Sequence, residues 1–178
     1  IPGSVGGALV MNAGAYGSEI KNILKSARVM TNEGEVLELS VDELELGYRT
    51  SCIPGRGYTV LEASFQLEPG DGAAIEARMK ELAARRREKQ PLEYPSAGST
   101  FKRPQGYFAG KLIEDAGLRG YGMGGARVSE KHCGFVINGG NATASDVMAL
   151  CGHIRKTVLE QSGVELEMEV KRWGNFDL

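Results

Sequence analysis

Cysteine is scarce. The 178 residues hold three, Cys52, Cys133 and Cys151, an odd number with no C-x-x-C spacing, so neither a disulfide framework nor a cysteine-based zinc site is indicated. No metal is expected. Neither sign of charge dominates: 21 Lys and Arg against 23 Asp and Glu leave a net charge of -2 with His neutral. A dedicated nucleic-acid binder would carry a strong basic excess. No apolar run approaches the roughly 18 residues that cross a bilayer, and no signal-peptide pattern opens the chain. The expectation is a cytoplasmic protein with neither nucleic-acid nor membrane partners. What is present suits a folded chain, with 42% hydrophobic and 25% charged residues, and the length allows one domain or a compact pair.

Glycine is abundant, 25 of 178 residues, or roughly twice the average usage. It has no collagen-like period, so tight turns and close approach of backbone to ligand are the expected uses. The chain opens at Ile1 inside a motif rather than at Met, and an N-terminally incomplete chain is the expectation. Small residues crowd 1–8 and 12–17, with a helical turn expected around Leu9–Met11. Ala27–Thr31 and Val36–Leu39 flank Asn32-Glu33-Gly34-Glu35 as a β-hairpin, and Thr59–Leu67 reads as a third strand. Ile75, Met79, Leu82 and Ala83 give Gly72–Lys89 a helical stripe that Pro91 stops. Residues 91–107 read as loop around a short piece, Ser99–Lys102. A second helix follows at Phe108–Ala116, then a strand at Phe135–Asn138. Thr143 and Asp146 have capping-box spacing before a long helix carrying Val147, Cys151, Ile154 and Val158. Glu165–Trp173 reads as a closing strand. The shift in composition near 69–72 divides the chain into domains 1–70 and 71–178.

Several segments have residues suited to chemistry. The opening glycine-rich run can bring backbone N–H groups close to an anion, although it is neither G-x-G-x-x-G nor a P-loop. Arg49, within Tyr48-Arg49-Thr50-Ser51, can grip a carboxylate bidentately; a surface salt bridge is the plainer role. Pro95-Ser96-Ala97-Gly98-Ser99-Thr100-Phe101-Lys102 leads small residues into a serine, and an ordinary loop hydroxyl is its plainer reading. No G-x-S-x-G elbow is present, and neither His132 nor His153 has an obvious serine partner, so a hydrolase triad is unsupported. Gly124–His132 can form a ligand-binding loop or a structural turn. Leu166-Glu167-Met168-Glu169-Val170 alternates, placing both glutamates on one strand face, normally toward solvent. The run Arg85–Lys89 suits a solvated helix C-terminus through the dipole.

Taken in order, residues 1–17, 48–51, 90–104, 108–120, 124–138 and 166–174 resemble the UDP-N-acetylenolpyruvoylglucosamine reductase family, flavoenzymes of peptidoglycan precursor synthesis. The most specific pieces are Ala97-Gly98-Ser99-Thr100-Phe101-Lys102 and Val128-Ser129-Glu130-Lys131-His132, the latter typical of a shorter subtype. The resemblance implies an α+β, two-domain architecture: the C-terminal part of an FAD-binding domain of the vanillyl-alcohol-oxidase type, followed by an α/β substrate-binding domain. It implies FAD and NADPH as cofactors and a UDP-sugar as substrate. Ser99 matches the family's proton donor, Arg49 its catalytic arginine and Glu169 its catalytic glutamate. Ile1, Pro2, Gly3, Ser4, Val5, Gly6, Gly7 and Ala8, with Asn12, Gly14, Ala15 and Tyr16, match cofactor-contacting segments. Lys89 matches a position where a lysine of the family meets substrate or nucleotide phosphate. Arg103 stands at a substrate-contact position, and Lys102, also expected at the substrate, can ease the transient alkoxide of Ser99.

The sequence departs from the family pattern at Met168, where proline is usual, and at Arg103, where many members carry Asn. The family's other pyrophosphate loop lies upstream of Ile1, so weak or absent flavin binding is expected of this chain by itself. The alternative to an active reductase is a redox-inactive UDP-sugar-binding fragment of one. A covalent flavin oxidase of the same fold superfamily is disfavoured, because His132 and Cys133 lie far downstream of the flavin segment.

Overall fold

The computed structural model describes residues 3–174; Ile1 and Pro2, two of the expected cofactor contacts, lie outside them. The chain is α+β and divides into two compact units, one up to Asp71 and the other from Gly72 onward.

In the first unit, α1 (Val5–Val10) starts at Ser4, whose hydroxyl accepts a hydrogen bond from Gly7 N. Two-residue strands β1 (Gly14–Ala15) and β2 (Ser18–Glu19) pair as a miniature hairpin. Then come β3 (Leu24–Met30), β4 (Val36–Ser40), the short helix α2 (Cys52–Gly55) and β5 (Thr59–Phe65). The sheet is antiparallel in the order β4-β3-β5. Leu24 and Ala27 are both buried although three apart, a spacing that strict alternation would split between two faces. The β3–β5 register slips between Leu24 and Ser26, and this bulge returns both side chains to the core. Leu9, Val29, Leu39, Leu44 and Ile53 complete that core.

The second unit begins with α3 (Gly72–Lys89), followed by β6 (Ser96–Ser99), α4 (Ala109–Asp115), β7 (Gly122–Met123), β8 (Ala126–Val128), β9 (Phe135–Asn138) and α5 (Ala144–Ser162). Its sheet runs β6-β9-β8-β7 and is antiparallel throughout. Thr143 and Asp146 close a reciprocal capping box on α5, and Gly163 ends the helix at φ +69, where the left-handed backbone favours glycine. Ile113, Leu118, Val128, Val136, Leu150, Ile154, Val158 and Leu166 form the core.

Two expectations change. The stripe on α3 is not a core face: no residue of the helix is buried, and Ile75 and Met79 are exposed. Strong helix formers and the ion pairs Lys80–Glu76, Arg78–Glu81 and Arg85–Glu81, each at 2.6 Å, support it from within. The closing strand expected over Glu165–Trp173 shrinks to a single bridge between Phe101 and Met168. Its alternation survives, with Leu166 buried and Glu167 exposed, but the available edge is short. Among the described residues its backbone bonds reach residues 100–102 only, through Lys102 N to Glu167 O at 2.8 Å and Glu169 N to Thr100 O at 2.9 Å. Among the described residues no helix is long and apolar enough to cross a membrane.

Candidate functional site

The small residues at the start of the chain line a cavity of about 570 Å³ in the first unit. Gly3, Ser4, Val5, Gly7, Ala8 and Ala15 belong to its wall, joined by Met11, Ala13, Ser18, Glu19, Ile20, Ile23 and Phe65. Ala13 lies within the 12–17 run expected at the cofactor; the other six were not legible as site residues, because the direction each faces is set by tertiary packing. Gly6, Asn12, Gly14 and Tyr16, also expected at the cofactor, do not line the cavity. Gly6 packs toward Val60, where a Cβ would lie 3.7 Å from the valine Cβ, and a Cβ on Gly14 would meet Glu19 at 2.8 Å. Gly14 thus serves the packing of the hairpin, whereas the distance at Gly6 is ordinary contact that a side chain would tolerate. The cavity is within the usual size range for small-molecule sites, and its wall is mostly apolar with few polar groups, as an aromatic cofactor requires. The residues present therefore fit one face of a flavin.

Arg49 stands on a turn at φ +54. Its guanidinium donates to the Gly14 carbonyl at 3.2 Å and lies 5.1 Å from the centre of the Tyr48 ring. Asn12 is fully buried.

In the second unit, strand pairing organises the remaining candidates. Ser96 faces Ile137 and Ser99 faces Phe135 across the β6–β9 ladder, so β6 has one residue more than its partner. The extra residue forms a bulge that includes Gly98 at φ +83, a left-handed conformation that side chains resist. Bulges of this kind re-aim the next side chain; here that is Ser99, which is exposed. Thr100 sutures the junction. It is buried, its Oγ1 accepts from Val136 N at 2.9 Å, and its N donates to Gly134 O at 2.9 Å. Its carbonyl accepts from Glu169 N, which sets the half-buried Glu169 one residue along from Ser99. Thr100→Val keeps the shape but strands the Val136 N–H, so a loss of about 1–3 kcal/mol is expected, measured by the shift of the urea unfolding midpoint at unchanged m-value.

The cations divide in character. The ammonium of Lys102 pairs with Glu167, an engagement that competes with any role beside Ser99. Arg103 stacks 3.9 Å over the Phe108 ring, and its Nε donates to Tyr107 O at 3.2 Å, which fixes its orientation. Lys89 is exposed at the end of α3, where Lys131 Nζ donates to Arg87 O at 2.8 Å and helps satisfy the helix C-terminus.

Within the Gly124–His132 segment, residues 127–131 line a cavity of about 330 Å³ with Glu93, Tyr94, Gly120, Ile137 and Gly139. Gly124 and Gly125 form the β7–β8 turn, occupied by the Asp146 carboxylate, which accepts from Gly125 N at 3.4 Å. Asp146 also bonds Thr143 N, and these contacts hold its carboxyl below the usual range. His132 Nδ1 accepts from Gly134 N at 3.0 Å, and burial lowers its pKa, favouring the neutral ring. His153 stacks on Tyr121 with ring centres 4.7 Å apart. Burial raises the thiols of Cys52 and Cys133 and takes Cys151 up to about 11, so all three remain protonated near neutrality. No cluster able to hold a metal occurs among the described residues.

Residues 90–173 match the family model of the C-terminal domain of UDP-N-acetylenolpyruvoylglucosamine reductase, and residues 1–40 match that of an FAD binding domain. The UDP-N-acetylenolpyruvoylglucosamine reductase of Agathobacter rectalis is 62% identical over 176 residues, covering 99% of this chain and 56% of the relative. That of Lachnoclostridium phytofermentans is 62% identical over 174 residues, covering 98% and 56%. The chain thus spans about half the length of these curated relatives. Among solved structures, a UDP-N-acetylenolpyruvylglucosamine reductase from Thermus caldophilus aligns with a TM-score of 0.84 at 35% identity, covering 98% of this chain and 62% of that one.

Proposed function

The chain belongs to the UDP-N-acetylenolpyruvoylglucosamine reductase family, and from that premise we propose that it carries residues for the NADPH-dependent, FAD-mediated reduction of the enolpyruvyl group of a UDP-sugar to UDP-N-acetylmuramate. The observation that carries this reading is the bulge at Gly98, which presents Ser99 at the strand end next to which Glu169 is bonded.

Bound FAD, reduced by NADPH, supplies the hydride for the β-carbon of the enolpyruvyl double bond. Gly3, Ser4, Val5, Gly7, Ala8 and Ala15 would hold it along the cavity wall. The charge left on the substrate gathers as an enolate over the α-carbon and carboxylate. Arg49 offers that carboxylate a planar fork of donors, matched to two oxygens at once. Glu169, when protonated, donates a hydrogen bond that steadies the enol oxygen. Ser99 passes its hydroxyl proton to the α-carbon. An alcohol is so weak an acid that only a strongly basic carbon can take its proton, and the enolate α-carbon is one. Lys89 and Arg103 would meet the anionic part of the UDP-sugar, and the ring contact that orients Arg103 supports its share of that role.

The test uses full-length enzyme, made by placing this chain in the A. rectalis relative in place of its matching 176 residues. Under anaerobic conditions NADPH should bleach the flavin absorbance, and the enolpyruvyl UDP-sugar should restore it. Flavin that stays bleached overturns the reading, and UDP-sugar binding without reoxidation would identify a binding module instead. In the same enzyme Arg49→Lys should lower kcat/KM for the UDP-sugar by about 10–100-fold, because a point charge cannot replace a bidentate fork. Normal turnover would make Arg49 a structural residue.

A further inference from the structure

Asn12 is 0% exposed and sits at φ +44, a conformation Asn tolerates better than most side chains. Its amide nitrogen donates to the Glu19 carboxylate at 2.9 Å and to the Gly47 carbonyl at 3.1 Å, while its amide oxygen accepts from Lys21 N at 3.0 Å. Both N–H groups and the oxygen are therefore engaged, and the side chain does not line the cavity.

The bond to Gly47 reaches the segment that carries Arg49. Gly47 and Thr50 exchange backbone hydrogen bonds at 3.2 and 3.4 Å, long enough to close the turn only weakly, with Tyr48 and Arg49 between them. At the far end, the Ser51 hydroxyl donates to the Val10 carbonyl at 2.6 Å. Arg49 itself donates to the Gly14 carbonyl. Residues 10–14 thus hold residues 47–51 at both ends and at the tip.

We propose that Asn12 and Ser51 are positioning residues for Arg49. They clamp a weakly closed turn so that a long side chain on a left-handed residue presents its fork in one orientation. The proposal rests on the reading of Arg49 as the group that holds the substrate carboxylate. A bidentate grip depends on the plane of the guanidinium as well as its charge, so a turn free to rock by an ångström would forfeit much of the benefit.

Asn12→Gly removes the clamp while leaving a residue that accepts φ +44 without strain. In the spliced full-length enzyme, kcat with the UDP-sugar should fall about 10–100-fold. The decisive comparison is a double-mutant cycle: in an Arg49→Lys background the further change Asn12→Gly should cost less than about twofold, since the group it positions is already gone. Losses that multiply, or an unchanged kcat in Asn12→Gly alone, overturn the proposal. Should Asn12→Gly fail to fold, Ser51→Ala loosens the other end of the turn and enters the same cycle with the same criteria. If the unsubstituted enzyme shows no substrate-dependent reoxidation, the reading of Arg49 falls separately. The clamp is then measured in this chain by hydrogen exchange of the Gly47 and Thr50 amides, whose bonds close the turn and which Asn12→Gly should make exchange about tenfold faster or more; unchanged exchange overturns it.

Discussion

Replacing Ser99 with alanine is expected to slow flavin reoxidation by the enolpyruvyl substrate about 10²–10⁴-fold, the range for loss of a positioned proton donor. Reduction of the flavin by NADPH should proceed at the unsubstituted rate, because no proton is delivered to the substrate in that half of the cycle. The structure makes the substitution unusually clean. The Ser99 hydroxyl has no hydrogen-bond partner among the described residues, and the side chain is exposed. Stability should therefore stay within about 0.5 kcal/mol of the parent. Thr100, the next residue, is the buried and bonded one, so the two neighbours separate function from fold. Stopped-flow absorbance of the flavin in the spliced enzyme reads each half-reaction. Unchanged reoxidation would show that the proton comes from elsewhere. A parallel loss of stability would show that the serine had been part of the scaffold.

Gly125→Ala should unfold the second unit more readily by at least about 3 kcal/mol, at the upper end of overpacking costs. A Cβ on Gly125 would overlap the Gly140 carbonyl oxygen and Ala142 N and lie 2.6 Å from Ala142 Cα. All three are backbone atoms, which cannot swing aside as a side chain does. The Gly139 N–H also bonds the Gly125 carbonyl at 2.9 Å, so movement of the β7–β8 turn would break that contact. In thermal unfolding the shift should be about 12 °C or more downward. Gly152→Ala is the natural control. Gly152 lies in α5 with nothing within 4 Å of a built Cβ, and alanine there should gain about 0.5–1 kcal/mol. Equal and small effects at the two positions would mean that the turn yields.

The α5 capping box was legible because both partners, Thr143 and Asp146, lie within one helical turn of each other. Helix α3 and the β3–β4 hairpin were legible for the same reason: period, turn residues and stops are local properties. What the periodicity of α3 could not reveal is that its apolar stripe goes unburied, since burial depends on what packs against a helix. β1, β2 and β7 have two residues each, too few for any alternation to register. The closing segment alternated as a strand would, yet lacked an edge long enough to pair along its whole length.

At the candidate site the same division holds. Ser99, Arg49 and Glu169 could be named from motif order, because the resemblance covers nearly the whole chain. Asn12 was expected at the cofactor, as one member of a glycine-rich run. That its amide grips Gly47, 35 residues away, is a fact of the folded chain alone. Gly124–His132 read as a ligand loop or a structural turn; the Asp146 carboxylate occupies its Gly124-Gly125 end, while residues 127–131 line a cavity.

The order of residues was sufficient for the family, for the longer helices and the β3–β4 hairpin, and for nominating the candidate reactive groups, since each is written in short-range spacing. Which glycines line a cavity, which merely allow close packing, where β6 bulges and what holds the Arg49 turn were settled by contacts between distant segments. Those contacts depend on register, burial and the direction of individual hydrogen bonds, and these come into being only when separate stretches of chain meet.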